Sequence, residues 1–485
     1  MPAIANTMPV VQYDSDLSET TEISHILNDC KQQATQTGEP RIASLTFDIE
    51  TILPWEALAV LGQQNQRHFY YDKPGQGSLV GTETTVAYRG DGSDRFKRAQ
   101  AFVRLWQSKV VSRSFANRSL INASPDTQKA FIAKPSQLHF FCSSTFFDQT
   151  QTKFEPVYVF VPKVQIATYR DISAATFNYL ITADTDLAPL TSEILQRLKQ
   201  LKSAQNNLVI SASQRQIVRD VNGFDRAVSA VLQQIGQDGL HKVVLADVMD
   251  VVADAPFDSV RSLQTLRQNH PDCTVFSISN GLGQSFIGAS PERLLGIRAN
   301  RLTTDALAGS APRGIAPGID HQLAQTLLNS EKERYEHRVV VEFLLAQLRS
   351  LNLAPQYPTS PQLMRLFHIQ HLHTPISATL APHQIAPLEA IGQLHPTPAV
   401  AGMPRQQACK LIQQHETFDR GPYASPLGWI DTEGNSEFIV GIRSALIEGR
   451  KARLYAGAGI VSGSQPLKEL AEIKLKLQSL LNALH

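Results

Sequence analysis

The sequence predicts an α+β fold, one or two large and mostly antiparallel sheets with helices interleaved, and three observations carry that prediction. At 485 residues the chain exceeds what a single hydrophobic core usually serves, so two domains or one large layered domain are expected. Between Arg41 and Arg170, short runs rich in β-branched and aromatic residues follow one another: IASLTFDI, RHFYYDKP, SLVGTETTVAYRG, LHFFCSSTF and PVYVFVPKVQIATYR. Gly, Pro and Asp turns divide them. Segments of helical period are interleaved, notably Asp94 to Trp106 and, later, Leu187 to Lys202.

Composition narrows the function. With 45 basic and 44 acidic side chains and no basic run, nothing advertises nucleic acid or an anionic membrane, and a small-molecule substrate is expected. Cys30, Cys142, Cys273 and Cys409 are widely spaced and form no C-x-x-C, which argues against zinc, iron–sulfur or a disulfide framework and suits a reducing cytosol. No basic stretch leads into an apolar core at the start, and no apolar run reaches the ~18 residues a membrane helix needs. An untargeted, cytoplasmic protein is expected.

In order along the chain, residues 1–40 are polar and end in QTGEP, which predicts a mobile start with a short helix around Glu22 to Gln36. Residues 41–215 hold the β-rich runs, and the polar stretch Lys202 to Gln216 is the expected link to residues 216–485. There a helical pattern from Phe224 to Ile235 stops at Gly236, and a buried strand, KVVLADVMDVV, follows. Lys242 opens that strand. Such a lysine is ordinarily a solvated strand end, but burial or a neighbouring cation would lower its pKa and fit it as a general base. Glu292, in S-P-E-R after a strand and turn, reads as an ion pair or turn cap, or, in a partly dry cleft, as a proton donor near neutral pH.

The segment LTTDALAGSAPRG ends in small residues that allow close backbone approach to a ligand, and SEKERYEHRVVVEFLLAQL reads as a long amphipathic helix. QHLHTPISATL, LHPTPAVAGMPR and FDRGPYASPLGWID read as loops and turns, with His371, His373 and His395 too scattered for a metal signature. SEFIVGIRSALI reads as a strand carrying Arg443 among apolar residues, a costly placement unless a carboxylate, from protein or substrate, grips it.

The most informative stretch is Leu454 to Lys476, LYAGAGIVSGSQPLKELAEIKLK. Its start predicts a short strand breaking at Gly457, Ala458 and Gly459, where backbone N–H groups would cradle a carboxylate or phosphate. A helix follows. Glu469 and Glu472, three apart, share one of its faces, and Glu333 and Glu336 repeat that spacing on the earlier helix. Each pair alone reads first as a solvated charged face. Two such helices facing each other would offer four carboxylates, enough for Mg²⁺ with its waters.

The motifs KVVLAD, FIGASPERLL, TDALAGSAPRG, ERYEHRVVVEF, LHPTPAVAGMPR, GPYASPLGW, EFIVGIRSALI and YAGAGIVSGSQPLKELAEIKLK stand in this order from about Val221 to Leu481. Together they resemble the chorismate-utilising enzymes, a family that includes isochorismate synthases, salicylate synthases, anthranilate synthase component I and aminodeoxychorismate synthase component I. HFYYDKPGQGSLVGTETTVAYRGDGSDRF resembles the N-terminal half of the longer isochorismate synthases. The chain departs from the family pattern at Asp247, where arginine is usual, at Asp305 for glutamate, at Ser310 for threonine, and in the HTPISATL loop, which lacks a glycine-containing ending.

The resemblance implies one α+β fold, a large two-sheet antiparallel β-sandwich flanked by helices, rather than two independent domains. It implies a Mg²⁺ ion on the ring carboxylate of chorismate, held by Glu336 and Glu472 with Glu333 and Glu469 as second carboxylates. Tyr423 and Arg443 resemble the pair gripping the enolpyruvyl carboxylate, and Gly309, Ser310, the backbone of Gly457, Ala458 and Gly459, and Lys476 match further substrate contacts. Lys242 resembles the general base of members that add water at C2, and Glu292 the acid that protonates the departing C4 hydroxyl. Ala308 stands where aminodeoxychorismate synthases carry a nucleophilic lysine. The expected activity is therefore isochorismate synthase, feeding quinone (menaquinone or phylloquinone) or salicylate and siderophore synthesis, in a monomer or weak homodimer without a glutamine amidotransferase subunit. Salicylate synthase, which also eliminates pyruvate, and a non-catalytic chorismate-binding protein are the alternatives.

Overall fold

The computed structural model describes residues 15–62, 65–115, 137–202, 215–381 and 384–485. Among them the strands form two large sheets. In the 13-stranded sheet the neighbours run Arg215–Arg219, Lys242–Ala253, Lys451–Val461, Ser444–Glu448, Gln284–Ser290, Thr274–Ser279, His68–Lys73, Gly77–Thr82, Val164–Tyr169, Ile172–Ile181, Arg41–Ile49 and Val110–Ser114. Gly402–Met403 adds a short pairing beside Lys242–Ala253. The 9-stranded sheet runs Gln362–Arg365, Ile369–Thr379, Arg301–Pro312, Arg293–Arg298, Ser436–Val440, Pro426–Asp431, His139–Ser144, Val157–Val161 and Val86–Gly90. Only Arg41–Ile49 with Val110–Ser114 is parallel among the described pairs.

The β-rich runs read between Arg41 and Arg170 all form strands, most of them buried on both faces, as Val157–Val161 and Val164–Tyr169 are along their whole length, whereas Val86–Gly90 at the sheet edge alternates with exposed residues. Phe69 of the larger sheet stacks on Phe141 of the smaller at 4.4 Å between centroids. Gly81 leaves the space that the Phe141 ring fills. Buried Glu437, on the smaller sheet, accepts a hydrogen bond from Tyr71 (3.1 Å) and pairs with Lys73, both on the larger. Removing either partner of so enclosed a pair would leave an uncompensated charge between the sheets.

Several local expectations change. The first helix is Ser15–Thr37, longer than expected, and Ile23, Leu27 and Cys30 are fully buried in the core, so the described part of the N-terminal segment is anchored rather than mobile. Residues 1–14, and residues 203–214 of the expected link, lie outside the described residues. QHLHTPISATL is strand, not loop: Ile369–Thr379 pairs along its length with Arg301–Pro312. Pro375 is accommodated because the strand on its other side, Gln362–Arg365, reaches only to His373. Lys451–Val461 does not break at its glycines, since Gly457, Ala458 and Gly459 keep register with Ala246, Leu245 and Val244. The missing side chains of Gly457 and Gly459 serve close packing, not a turn. SEFIVGIRSALI is two strands, Ser436–Val440 and Ser444–Glu448, in different sheets, and Arg443 lies between them at φ +51°.

Candidate active site

The site grows where the chain crosses between sheets. Gln284–Ser290 belongs to the larger sheet and Arg293–Arg298 to the smaller, so Glu292 sits on the crossover. Arg443 sits on the return crossover. The two crossovers are tied together, Val440 N donating to Glu292 O at 3.1 Å and Ala289 N to Arg443 O at 3.1 Å. Both side chains are thereby fixed on backbone that faces one pocket. Arg443 Nη2 donates to His371 Nε2 at 3.4 Å, and no protein carboxylate among the described residues forms an ion pair with it. Burial lowers the Arg443 pKa and holds His371 down to about 3, so that ring is neutral.

Two helices close the other side. Glu331–Ser350 starts at Ser330, whose Oγ accepts from Glu333 N (3.3 Å), and packs along Arg301–Pro312. Pro466–Leu481 packs along Lys451–Val461, burying Ile473, Leu477 and Leu480. The periodicity that buries those apolar faces sends Glu333, Glu336, Glu469 and Glu472 into the same pocket. Arg301–Pro312 carries a bulge at Gly309, φ +76°, that breaks register between Ala308 and Ser310. The bulge aims Ser310 at both helices: its N donates to Glu333 Oε2 at 3.1 Å and its Oγ to Glu472 Oε1 at 3.0 Å.

Lysines meet these carboxylates. Lys476 Nζ lies 2.6 Å from Glu472 Oε1 and donates to Gly457 O at 2.9 Å. Lys332 Nζ lies 2.8 Å from Glu469 Oε1 and 3.3 Å from Glu333 Oε1. Lys242 Nζ lies 2.8 Å from Glu336 Oε1, an ion contact without hydrogen-bond geometry, on a side chain with 0 % exposure. A side chain at Gly459 would overlap Glu336 Oε1 and crowd Lys242 Cε, so this glycine is what lets the pair form against the strand.

Electrostatics separate the carboxyls. Glu292 is pushed up to about 8, by burial first and by Asp305, against the pull of Lys242. Asp305 stays ionised because His373 and Arg293 hydrogen-bond to it, outweighing its burial. Burial and the Glu336 charge raise Glu333, whereas at Glu472 the Lys476 and Ser310 contacts overcome burial and hold it down to about 2. Among the described residues no group of three or more His, Cys, Asp or Glu is already gathered in a metal-binding arrangement. The donor chemistry nevertheless fits a hard divalent ion: four carboxylates from two helices line one pocket, and Glu333 is destabilised by its neighbour's charge.

Of the residues read from the sequence, Glu292, Glu333, Glu336, Glu469, Glu472, Gly309, Ser310, Tyr423, Arg443, Gly457, Gly459 and Lys476 all line this pocket. Lys242 and Ala458 do not. Ala458 alternates to the other face of its strand, and Lys242 lies behind the wall in contact with Glu336. Lys332, His371 and Tyr455 line the pocket without having been singled out as site residues. For Lys332 the only available signal was its place beside Glu333 on a helix.

A family profile described as chorismate binding enzyme matches residues 28–485. The isochorismate synthase of salicylate biosynthesis from Pseudomonas aeruginosa is 42 % identical over 264 residues, 54 % of this chain and 54 % of that protein, so the match spans about half the length of this relative. Isochorismate synthase MenF of Bacillus subtilis is 34 % identical over 333 residues, 67 % of this chain and 69 % of the relative. The structure of the menaquinone-specific isochorismate synthase MenF from Escherichia coli superposes with a TM-score of 0.72 at 25 % identity, covering 96 % of this chain and 100 % of that one.

Proposed function

The chain belongs to the chorismate-binding enzyme family, and from that premise we propose that it is a Mg²⁺-dependent isochorismate synthase that adds water at C2 of chorismate and releases the C4 hydroxyl. The observation that carries the reading is the contrast of two enclosed groups. Glu292 holds its proton to about pH 8, and a lysine, Lys242, lies close enough to act on it electrostatically. A buried acid that keeps its proton, with an enclosed lysine near it to serve as the base, supplies the two groups an exchange of hydroxyls requires.

In this reading Arg443, which has no carboxylate ion-pair partner among the described residues, and Tyr423 grip the enolpyruvyl carboxylate. Glu336 and Glu472, with Glu333 and Glu469, would hold Mg²⁺, which supplies positive charge for the ring carboxylate. Lys476, Ser310, Gly457 and Gly459 border the rest of the ring. Lys242 Nζ accepts a proton from the water as its oxygen bonds to C2, and Glu336 must turn from Lys242 for that water to reach it. The ring π electrons shift toward C4, and the C4–O bond breaks as Glu292 delivers its proton, so the leaving group departs as water. Glu292 is left as a carboxylate and Lys242 as an ammonium, and solvent exchange resets both.

Water as nucleophile requires no ammonia supply, so no glutamine amidotransferase subunit is assigned. Ala308, lining the pocket, offers no lysine for the aminodeoxychorismate route. The similarity to the two MenF proteins supports a menaquinone-type quinone pathway, and the Pseudomonas relative a salicylate pathway. A cytoplasmic monomer or weak homodimer fits this chemistry, and no described helix is long and apolar enough to cross a membrane.

The test is to incubate the protein with chorismate and Mg²⁺, with and without EDTA, and separate the products. Isochorismate forming reversibly and only with metal is expected, and Lys242→Ala should abolish it without altering the circular dichroism spectrum. Salicylate with pyruvate would assign salicylate synthase instead. No turnover, even with ammonia, would leave a chorismate-binding protein.

A further inference from the structure

Between the two glutamate-bearing helices stands a lysine that the proposed reaction leaves without a role. Lys332 lies in the first turn of Glu331–Ser350, and its Nζ bridges Glu469 Oε1 at 2.8 Å and Glu333 Oε1 at 3.3 Å. One ammonium therefore joins one carboxylate from each helix. The other lysines at these carboxylates are held elsewhere: Lys242 is enclosed completely, and Lys476 is also fixed by Gly457 O. The Lys332 side chain keeps 29 % of its surface in water, so swinging its ammonium into solvent requires no repacking.

We propose that Lys332 is a built-in countercation of the metal site, an ammonium that a divalent ion must displace from Glu333 and Glu469 in order to bind. The inference rests on reading the four glutamates as metal ligands. A lysine ammonium has three donors and no fixed geometry, so it can satisfy facing carboxylates without the octahedral demand of Mg²⁺. Its charge cancels part of the attraction that four carboxylates would otherwise exert. The ion is then held weakly by protein alone and firmly once an anionic substrate carboxylate adds its own charge. Linkage makes this reciprocal: the substrate tightens the metal by the same factor as the metal tightens the substrate.

The experiment is calorimetric titration of Mg²⁺ into wild type, Lys332→Met and Lys332→Arg at low salt, with thermal melts confirming that each is folded. Removing one positive charge beside the ion should tighten Mg²⁺ binding by about tenfold or more in Lys332→Met, with the gain shrinking as salt rises, while Lys332→Arg stays near wild type. Unchanged or weaker binding in Lys332→Met overturns the inference. Wild type that binds no Mg²⁺ with or without chorismate overturns the ligand assignment itself, a distinguishable failure. Should Lys332→Met not fold, reductive methylation of wild type gives the same information. Lys332 should label faster when Mg²⁺ is added, and labelling indifferent to Mg²⁺ overturns the inference.

Discussion

Glu292 shows how the site trades stability for chemistry. Its carboxyl, near 4.5 in an unfolded chain, is pushed to about 8 where it lies. The native state therefore holds an extra proton between those values. Stability from the neutral carboxyl is complete below pH 4.5 and is lost as pH rises toward 8. Glu292→Gln removes that loss. The variant should gain stability over wild type as pH climbs through this window, by about 1–3 kcal/mol at its upper end, while turnover falls at least ~100-fold. Melts across the pH range read the first effect, and a stability difference that ignores pH would contradict the assignment. Arg443→Ala should raise KM for chorismate at least ~30-fold through loss of a charge-assisted carboxylate contact, with a smaller effect on kcat, as steady-state kinetics would show. The types of these residues were legible, but their placement was not. SEFIVGIRSALI has the composition of one strand, and nothing local signals that Gly441 to Arg443 carries the chain from one sheet to the other.

At the scale of elements, legibility followed locality. Glu333 with Glu336 and Glu469 with Glu472 could be read as pairs because helical spacing is fixed within one turn. Lys332 could not be read as their bridge, because its contact with Glu469 spans 137 residues. The Lys451–Val461 strand was misread as broken because glycines signal turns more often than close approach. Here they are structural requirements of the site: a Cβ at Gly459 would overlap Glu336 Oε1. Gly459→Ala should therefore displace Glu336 from Lys242 and reduce kcat/KM at least ~100-fold, with stability lowered by about 1–3 kcal/mol. Near-wild-type kinetics would show that Glu336 moves away at no cost.

At the scale of the molecule, the two sheets interleave the halves of the chain. Thr274–Ser279 pairs with His68–Lys73, and Pro426–Asp431 with His139–Ser144. Residues 216–485 contain the whole pocket, yet expressed alone they would expose these strand edges and strip Lys73 and Tyr71 from buried Glu437. That fragment should aggregate or lack a cooperative melt, whereas a soluble, cooperatively folding fragment would show the N-terminal strands to be dispensable. Strand runs were readable from composition, but their partners, hundreds of residues apart, were visible only through resemblance to folded relatives. The measurement that reaches furthest is turnover of chorismate with Mg²⁺ in ¹⁸O-enriched water, followed by mass spectrometry of the product. Water attacking C2 with Lys242 as base predicts isochorismate carrying one solvent oxygen, at C2, with the original C4 oxygen lost. Unlabelled isochorismate, or a labelled product whose yield survives Lys242→Ala, would contradict that chemistry.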